Sequence, residues 1–187
     1  TGADMTFTTL TLPAVSTSAA TSITTDSATL NGYLTSLGTA TTVDVFFEYG
    51  TTTSYGSRTA AQAMTAAGVF SLNFTGLSPG TVYHFRAKAD GGAHGIATGA
   101  GMTFTMRTMS PMVGTSPATS VTSNAATLNG YLTSLGTAIT VNVSFEYGTT
   151  TGYGSTATAQ VMTAPGVFSI NLTGLSPGTT YHFRAKA

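Results

Sequence analysis

Two histidines of this 187-residue chain, His84 and His182, are the first candidates for catalysis or metal binding. Each precedes an arginine by two residues in the segment YHFRAKA, whose alternation predicts a β-strand with the histidine and arginine facing outward. We expect a neighbouring strand to carry Glu48 in the first case and Glu146 in the second. Two interpretations fit: an acid–base or metal site, or cross-strand pairing of the carboxylate with His, Arg or Lys on a solvated face. We favour the pairing, because no second carboxylate stands near enough in sequence for a general acid–base pair.

The third histidine, His94, lies in a glycine-rich stretch, residues 90–95 (DGGAHG). One His and one Asp are too few ligands for a metal site. The stretch also lacks the spacing of a phosphate-binding loop and does not lead into a helix. Cysteine is absent, which excludes thiol ligands and disulfide bonds. We therefore expect a flexible loop tip here, and in the whole chain no metal, no cofactor and no enzymatic activity.

Three Asn-X-Ser/Thr triplets are candidate glycosylation sites, at Asn73, Asn142 and Asn171. Only 6% of the residues are charged and the formal net charge is +0, whereas ordinary soluble domains have roughly 25% charged residues. Such a surface must be hydrated by Ser and Thr hydroxyls, covered by sugars or buried in an assembly. The composition offers no basic patch for nucleic acid, and no apolar run is long enough to span a membrane.

The chain consists of two copies of one repeat, and the motifs FEYG, GLSPGT and YHFRAKA recur after 98 residues. Residues 1–10 (TGADMTFTTL) match residues 98–107 (TGAGMTFTMR), which end the first copy. No such segment follows the second copy. We therefore expect a spare closing strand at residues 1–10, a complete domain at 11–108 and a domain at 109–187 that lacks its own last strand.

Short β-rich segments separated by turn residues predict an all-β sandwich. Alternation in residues 42–49 leaves Phe46 as the only clearly outward aromatic side chain of the central strands. The dipeptide at residues 31–32 (Asn-Gly) predicts a bulge in the second strand. Residues 57–64 are predicted to form a weak edge strand, and residues 98–107 to form one closing strand.

The segments ATLNGYL, FEYGTTTSYGS, GLSPGTVYHFRAKA and TGADMTFTT are similar to the fibronectin type III-like repeats of bacterial and archaeal extracellular proteins. The resemblance implies two tandem immunoglobulin-like β-sandwich domains. It also implies tyrosine corners at Tyr83 and Tyr181, where the hydroxyl bonds back to nearby backbone. In such repeats TGADMTFTT is the last strand, which independently assigns this segment to the end of a domain. The family's second-strand Trp is missing, and Leu30 and Tyr33 occupy that stretch.

The spare closing strand predicts how molecules join. An open sheet edge is a template for another strand, so we expect residues 1–10 of one molecule to complete the second domain of its neighbour. Met5 and Phe7 are the expected anchors, because they align with Met102 and Phe104. The receiving groove is predicted to comprise Phe145, Tyr147, Tyr181 and Phe183.

Head-to-tail donation does not close on itself, so the main hypothesis is a structural subunit of an extracellular filament or cell-surface fibre. Its partners are identical subunits, with glycans and host or cell surfaces as further candidates for an adhesive glycoprotein. The alternative is a two-repeat piece of a long covalent tandem-repeat adhesin or stalk, with the same strand in the same groove. A carbohydrate-binding module of a secreted enzyme ranks third, since only Phe46 offers an aromatic platform.

Overall fold

A computed structural model describes residues 2–158 and 160–187, and its regular structure is almost entirely β-strand. The chain divides into two compact units, residues 1–107 and residues 108–187. Each unit has two sheets around its own apolar core, so the predicted all-β fold is confirmed. No helix among the described residues is long and apolar enough to cross a membrane. Thr1, the first residue of the expected spare strand, lies outside the described residues.

The described part of the first unit forms two antiparallel sheets. Its strands are β1 (Ala14–Thr21), β2 (Ser27–Ser36), β3 (Val43–Gly50), β4 (Ser57–Arg58), β5 (Gln62–Met64), β6 (Gly68–Thr75), β7 (Val82–Asp90), β8 (Ile96–Thr98) and β9 (Met102–Thr105). One sheet has the order β1-β2-β6. The other has the order β4-β3-β7-β8, in which β5 also pairs with β3 and β9 also pairs with β7.

The core of the first unit lies between these sheets, because the inward side chains of each strand alternate with outward polar ones. Val43, Val45 and Phe47 of β3 are all fully buried. The ring centroid of Phe47 lies 5.1 Å from that of Phe70 on β6 and 6.2 Å from that of Phe85 on β7. Phe47 therefore contacts both sheets, and burial of one such side chain contributes about 1.5–3 kcal/mol.

The bulge expected at residues 31–32 lies in the neighbouring strand instead. The pairing of β1 with β2 shifts register between Ser18 and Thr21. The side-chain amide of Asn31 spans this irregular segment by donating to the Ala19 carbonyl at 2.8 Å and to Thr21 Oγ1 at 3.1 Å. Asn31 thus stabilises a bulge across the strand pair and does not form one itself.

Phe46 is not an exposed aromatic residue, contrary to the expectation from alternation. Only 9% of its surface is accessible, because the guanidinium carbon of Arg58 on β4 lies 5.7 Å from the centre of its ring. Its counterpart in the second unit, Ser144, is also buried. The covering arginine comes from another strand, so alternation within β3 alone could not predict it.

Two segments that were expected to be single strands are interrupted. Residues 57–64 form β4 and β5, and the closing segment forms β8 and β9. At the second interruption Gly99 packs against β1 so closely that a Cβ there would lie 2.5 Å from Thr17 Oγ1. The Gly99 N–H still donates to the Ala87 carbonyl at 2.9 Å. The interruption therefore lets the closing segment pass close to β1 while it stays bonded to β7.

The second unit repeats this layout. Its described strands are β10 (Met112–Thr119), β11 (Ala125–Ser134), β12 (Val141–Gly148), β13 (Ser155–Thr156), β14 (Gln160–Met162), β15 (Gly166–Thr173) and β16 (His182–Lys186). One sheet has the order β10-β11-β15, and in the other β13, β14 and β16 pair with β12. Within residues 108–158 and 160–187 no strand corresponds to β8 or β9.

Replacement of Asn31 by Ala is expected to lower the free energy of unfolding of the first unit by about 1–2 kcal/mol, because the bulged segment loses its donor. Asn129→Ala should lower the free energy of unfolding of the second unit in the same way, because the side-chain amide of Asn129 donates to the Pro117 carbonyl at 2.9 Å. Chemical denaturation measures both effects. Asn73→Ala, at an exposed position of β6, is the matched control, and an equal loss in the control would contradict the assignment.

Candidate strand-binding groove

In the first unit, β9 shows how a closing strand is held. It pairs with β7 so that Phe104 lies opposite Tyr83 and Met102 lies opposite Phe85. On its other side β7 pairs with β3. The closing strand therefore satisfies backbone groups of β7 that would otherwise form a sheet edge.

Two side chains of the closing segment fill the space beside that ladder. The ring of Phe104 stacks on Tyr83 with 5.6 Å between centroids and meets Phe85 edge-on at 5.6 Å. Met106 follows, only 2% exposed, and its N–H donates to the Thr81 carbonyl at 3.0 Å. The first unit is thus closed by one aromatic and one aliphatic anchor.

The corresponding space in the second unit is an open cleft of about 350 Å³. Leu128, Leu172 and Leu175 provide much of its apolar lining. Val121 at the cleft is 69% exposed, whereas its counterpart Ile23 packs against the core of the first unit. The apolar surface that Phe104 and Met106 cover in the first unit is therefore accessible in the second.

The strand β16 forms an edge beside this cleft. Among the described residues it pairs with β12 alone. Its Phe183 and Ala185 are partly exposed, whereas their counterparts Phe85 and Ala87 in β7 are fully buried. An unpaired edge beside an apolar cleft can receive an added β-strand.

Tyr147, Tyr181 and Phe183, three of the four aromatic residues predicted to form the groove, line the cleft. Phe145 does not line it and is fully buried. Its ring lies 5.0 Å from that of Phe168 on β15 and 6.2 Å from that of Phe183. Phe145 shares a face of β12 with Tyr147, but it sits at mid-strand, where the facing sheet covers it.

Three aliphatic residues of the cleft walls were not predicted from the sequence: Val121, Leu172 and Leu175. They belong to a turn, to the opposite sheet and to the turn before β16, so alternation along one strand does not identify them. Comparison of the two repeats could have identified these wall residues. Each of the three stands 98 residues after a residue that packs in the core with Phe104 and Met106, namely Ile23, Phe74 and Leu77.

Both tyrosine-corner residues bond to nearby backbone. The Ser78 N–H donates to Tyr83 Oη at 3.1 Å, and the Ser176 N–H donates to Tyr181 Oη at 3.1 Å. Each bond fixes the turn that leads into β7 or β16. In the second unit it also holds one wall of the cleft in place, because Ser176 and Tyr181 both line it.

The expected anchors lie in an exposed segment. Residues 2–12 form no strand, and Met5 and Phe7 are 85% and 89% exposed. The segment is tied to the first unit only near its end, where the Thr11 N–H donates to Thr39 Oγ1 at 3.0 Å and the Thr39 N–H donates to the Thr11 carbonyl at 3.2 Å. Both anchor side chains are therefore accessible to another molecule.

In the first unit, Glu48 pairs with arginine and not with histidine. Arg86 Nε donates to Glu48 Oε2 at 2.7 Å, and the guanidinium carbon of Arg86 lies 4.4 Å from the centre of the Tyr55 ring. Lys88 takes a different partner and donates to Thr98 Oγ1 of β8 at 2.8 Å. The closing segment therefore takes part in the polar network of this face.

In the second unit the same face is rearranged. Arg184 Nε donates to Glu146 Oε2 at 2.8 Å and its guanidinium carbon lies 4.7 Å from the centre of the Tyr153 ring. Lys186 also turns to the carboxylate, with Nζ 2.8 Å from Glu146 Oε1. Two cations thus share one carboxylate on this face.

The remaining polar candidates are dispersed. His84 is half-buried and His182 is exposed. His94 Nδ1 lies 2.9 Å from Thr39 Oγ1, so its ring is bonded to the β2–β3 turn. Within residues 2–158 and 160–187, no group of three His, Cys, Asp or Glu side chains could hold a metal ion. The three candidate glycosylation sites are all exposed: Asn73, Asn142 and Asn171.

The hydrogen bonds from Lys186 and Arg184 lower the pKa of Glu146. A lowered pKa in the folded state means that ionised Glu146 stabilises the second unit above the ordinary glutamate value of about 4.3, and that this stabilisation is lost as the pH falls through the lowered pKa. Glu146→Gln should therefore flatten the decline of Tm between about pH 5 and pH 3. Thermal unfolding followed by circular dichroism measures this, with the exposed Asp44→Asn as control. An identical decline of Tm at acidic pH in the wild type and in Glu146→Gln would contradict this prediction.

No protein-family model and no curated protein matches this chain. Among solved structures it is similar to the sensor domain of the anti-sigma factor RsgI4 of Pseudobacteroides cellulosolvens. For a short form the TM-score is 0.41 at 16% identity, covering 51% of this chain and 94% of that one. For a long form the TM-score is 0.42 at 18% identity, covering 59% and 100%. For a solution structure of the same domain it is 0.40 at 16% identity, covering 50% and 74%. Values this low carry no argument about function.

Proposed function

We propose that this chain is a structural subunit of an extracellular filament or surface fibre, joined head to tail by strand donation. Residues 1–10 of one molecule lie in the cleft of the second unit of the next and pair with β16. Both units are then fibronectin type III-like domains, which the sheet order β1-β2-β6 opposite β4-β3-β7 supports. The observation that carries the proposal is the match of cleft and segment to the filled groove and closing strand of the first unit.

The first unit supplies the register of the joint. The segment TGADMTFT at the start of the chain differs at one position from TGAGMTFT, which contains β9. When the pairing of β9 with β7 is transferred by the repeat, Phe7 lies opposite Tyr181 and Met5 lies opposite Phe183. Both partners line the open cleft. The donated strand therefore meets an edge and a cleft of matching register.

Burial of the two anchors drives the association. Met5 and Phe7 are exposed in the isolated molecule, and removal of both side chains from water contributes at most about 3–6 kcal/mol, since Met102, the counterpart of Met5, is only partly buried. Ladder hydrogen bonds add roughly 1 kcal/mol each. Ordering of the segment opposes this by about 1–2 kcal/mol per residue. Because these terms are of similar size, the joint needs both anchors.

The remaining surface suits a polymer. Six basic and six acidic residues give a formal net charge of +0, and low net charge favours association. Donor and acceptor are different surfaces of one molecule, so the contact is heterologous and repeats without closing. Identical subunits are the partners. Exposed Asn73, Asn142 and Asn171 leave room for glycans on the outside of the fibre.

The alternative places the same strand in the same groove within one longer polypeptide, as in a covalent adhesin or stalk. It predicts the same contacts but no joining of separate molecules. The hypothesis of a carbohydrate-binding module depended on an exposed aromatic ring at Phe46, and Arg58 covers this ring.

Purified residues 1–187 should form fibres under negative-stain microscopy and light scattering, whereas residues 11–187 should remain monomeric because the donor strand is gone. Phe7→Asp in the longer chain should also abolish fibres, since it places a charge in the apolar cleft.

Thr6→Asp is the matched control, because Thr103, its counterpart in β9, is exposed. This variant introduces the same charge one residue away and should still form fibres. Discrete monomers from both chain lengths would overturn donation between separate molecules and favour the covalent stalk. Fibres from residues 11–187 would place the joint elsewhere.

A further inference from the structure

Over their first eight residues the donor segment and the closing segment of the first unit differ at one position. Asp4 stands where the first unit has Gly101. Gly101 lies directly against Tyr55, and a Cβ built on this glycine would be 2.7 Å from the Tyr55 hydroxyl oxygen. A side chain at this position of a closing strand therefore meets the hydroxyl of that tyrosine.

In the second unit the corresponding tyrosine is Tyr153, which also lies beside an arginine. The guanidinium carbon of Arg184 lies 4.7 Å from the centre of its ring. Lys186 lies on the same face, and both cations share the single carboxylate of Glu146. The side chains of Arg184 and Lys186 remain largely exposed. The face that borders the empty strand position thus carries one positive charge in excess.

The same position in the first unit carries no carboxylate. There the closing segment offers Gly101, and Lys88 is bonded to Thr98 of β8. An aspartate at this point is therefore a feature of the joint between molecules and not of the closing strand in general.

We propose that Asp4 is a specificity-determining residue of the joint, whose carboxylate accepts a hydrogen bond from the Tyr153 hydroxyl and faces Arg184 and Lys186. This inference rests on the proposed strand donation. The Tyr153 hydroxyl moves aside slightly to admit the Asp4 side chain, which is feasible because it is the free end of a long side chain. The joint then combines two apolar anchors with one charged contact, and the charged contact is weakened by salt.

The test compares the critical concentration for fibre formation of the full chain in about 0.02 M and about 0.5 M NaCl. Asp4→Asn should raise it roughly threefold to tenfold at low salt, the range for a charge-assisted contact at a surface. Tyr153→Phe should raise the critical concentration by a similar factor. The double variant should have a critical concentration no higher than that of either single variant, because both substitutions remove the same contact. Wild-type fibres should weaken with salt more than Asp4→Asn fibres.

Tyr55→Phe is the matched control, because the hydroxyl of Tyr55 faces Gly101 and takes no part in the joint. It should leave the critical concentration unchanged. If the wild type forms fibres and Asp4→Asn has the same critical concentration, this inference is wrong while strand donation stands. Absence of fibres from the wild type would overturn strand donation and this inference with it. Asp4→Asn alone suffices if Tyr153→Phe does not fold, since Asp4 lies in an exposed segment.

Discussion

A β-strand beside the core needs a partner for its backbone groups and side chains that fill the apolar space next to it, because an unpaired edge is a template for another strand and apolar surface left in water costs free energy. In the first unit β9 pairs with the backbone of β7, and the side chains of Phe104 and Met106 fill the apolar space. The second unit meets only half of this requirement, since β16 is paired with β12 on one side alone among the described residues. The accessible cleft follows from that one difference.

The polar outer face also differs between the two units. Where β8 is present, Lys88 is drawn to Thr98 and leaves Glu48 to Arg86. Where no counterpart of β8 is described, Lys186 joins Arg184 on Glu146. The difference accompanies the presence of β8 and also a change of sequence beside the lysine, since Lys88 lies opposite Phe46 and Lys186 lies opposite Ser144. The two units therefore differ in the charge distribution beside this edge as well as in the core.

Local patterns predicted much of the fold. Alternation of apolar and polar residues predicted the all-β class and the inward residues of β3, such as Val45 and Phe47. It failed where a contact comes from elsewhere in the chain. Arg58 covers Phe46 from another strand, and Phe168 covers Phe145 from the opposite sheet. For the groove, alternation predicted the aromatic lining of one sheet. The aliphatic walls come from turns and from the facing sheet, where only comparison of the two copies shows which residues meet a closing strand.

The burial of Met106 bears on where a fibre built as proposed would break. At the same place the donor segment has Thr9, which is shorter and carries a hydroxyl. The second unit offers Leu172 and Val121 where the first has Phe74 and Ile23, so the space is wider while its occupant is smaller. Tension along the fibre would thus part it at the contacts between molecules before any unit lost its own closing strand. The fragments would be whole molecules that keep both donor and cleft and can rejoin.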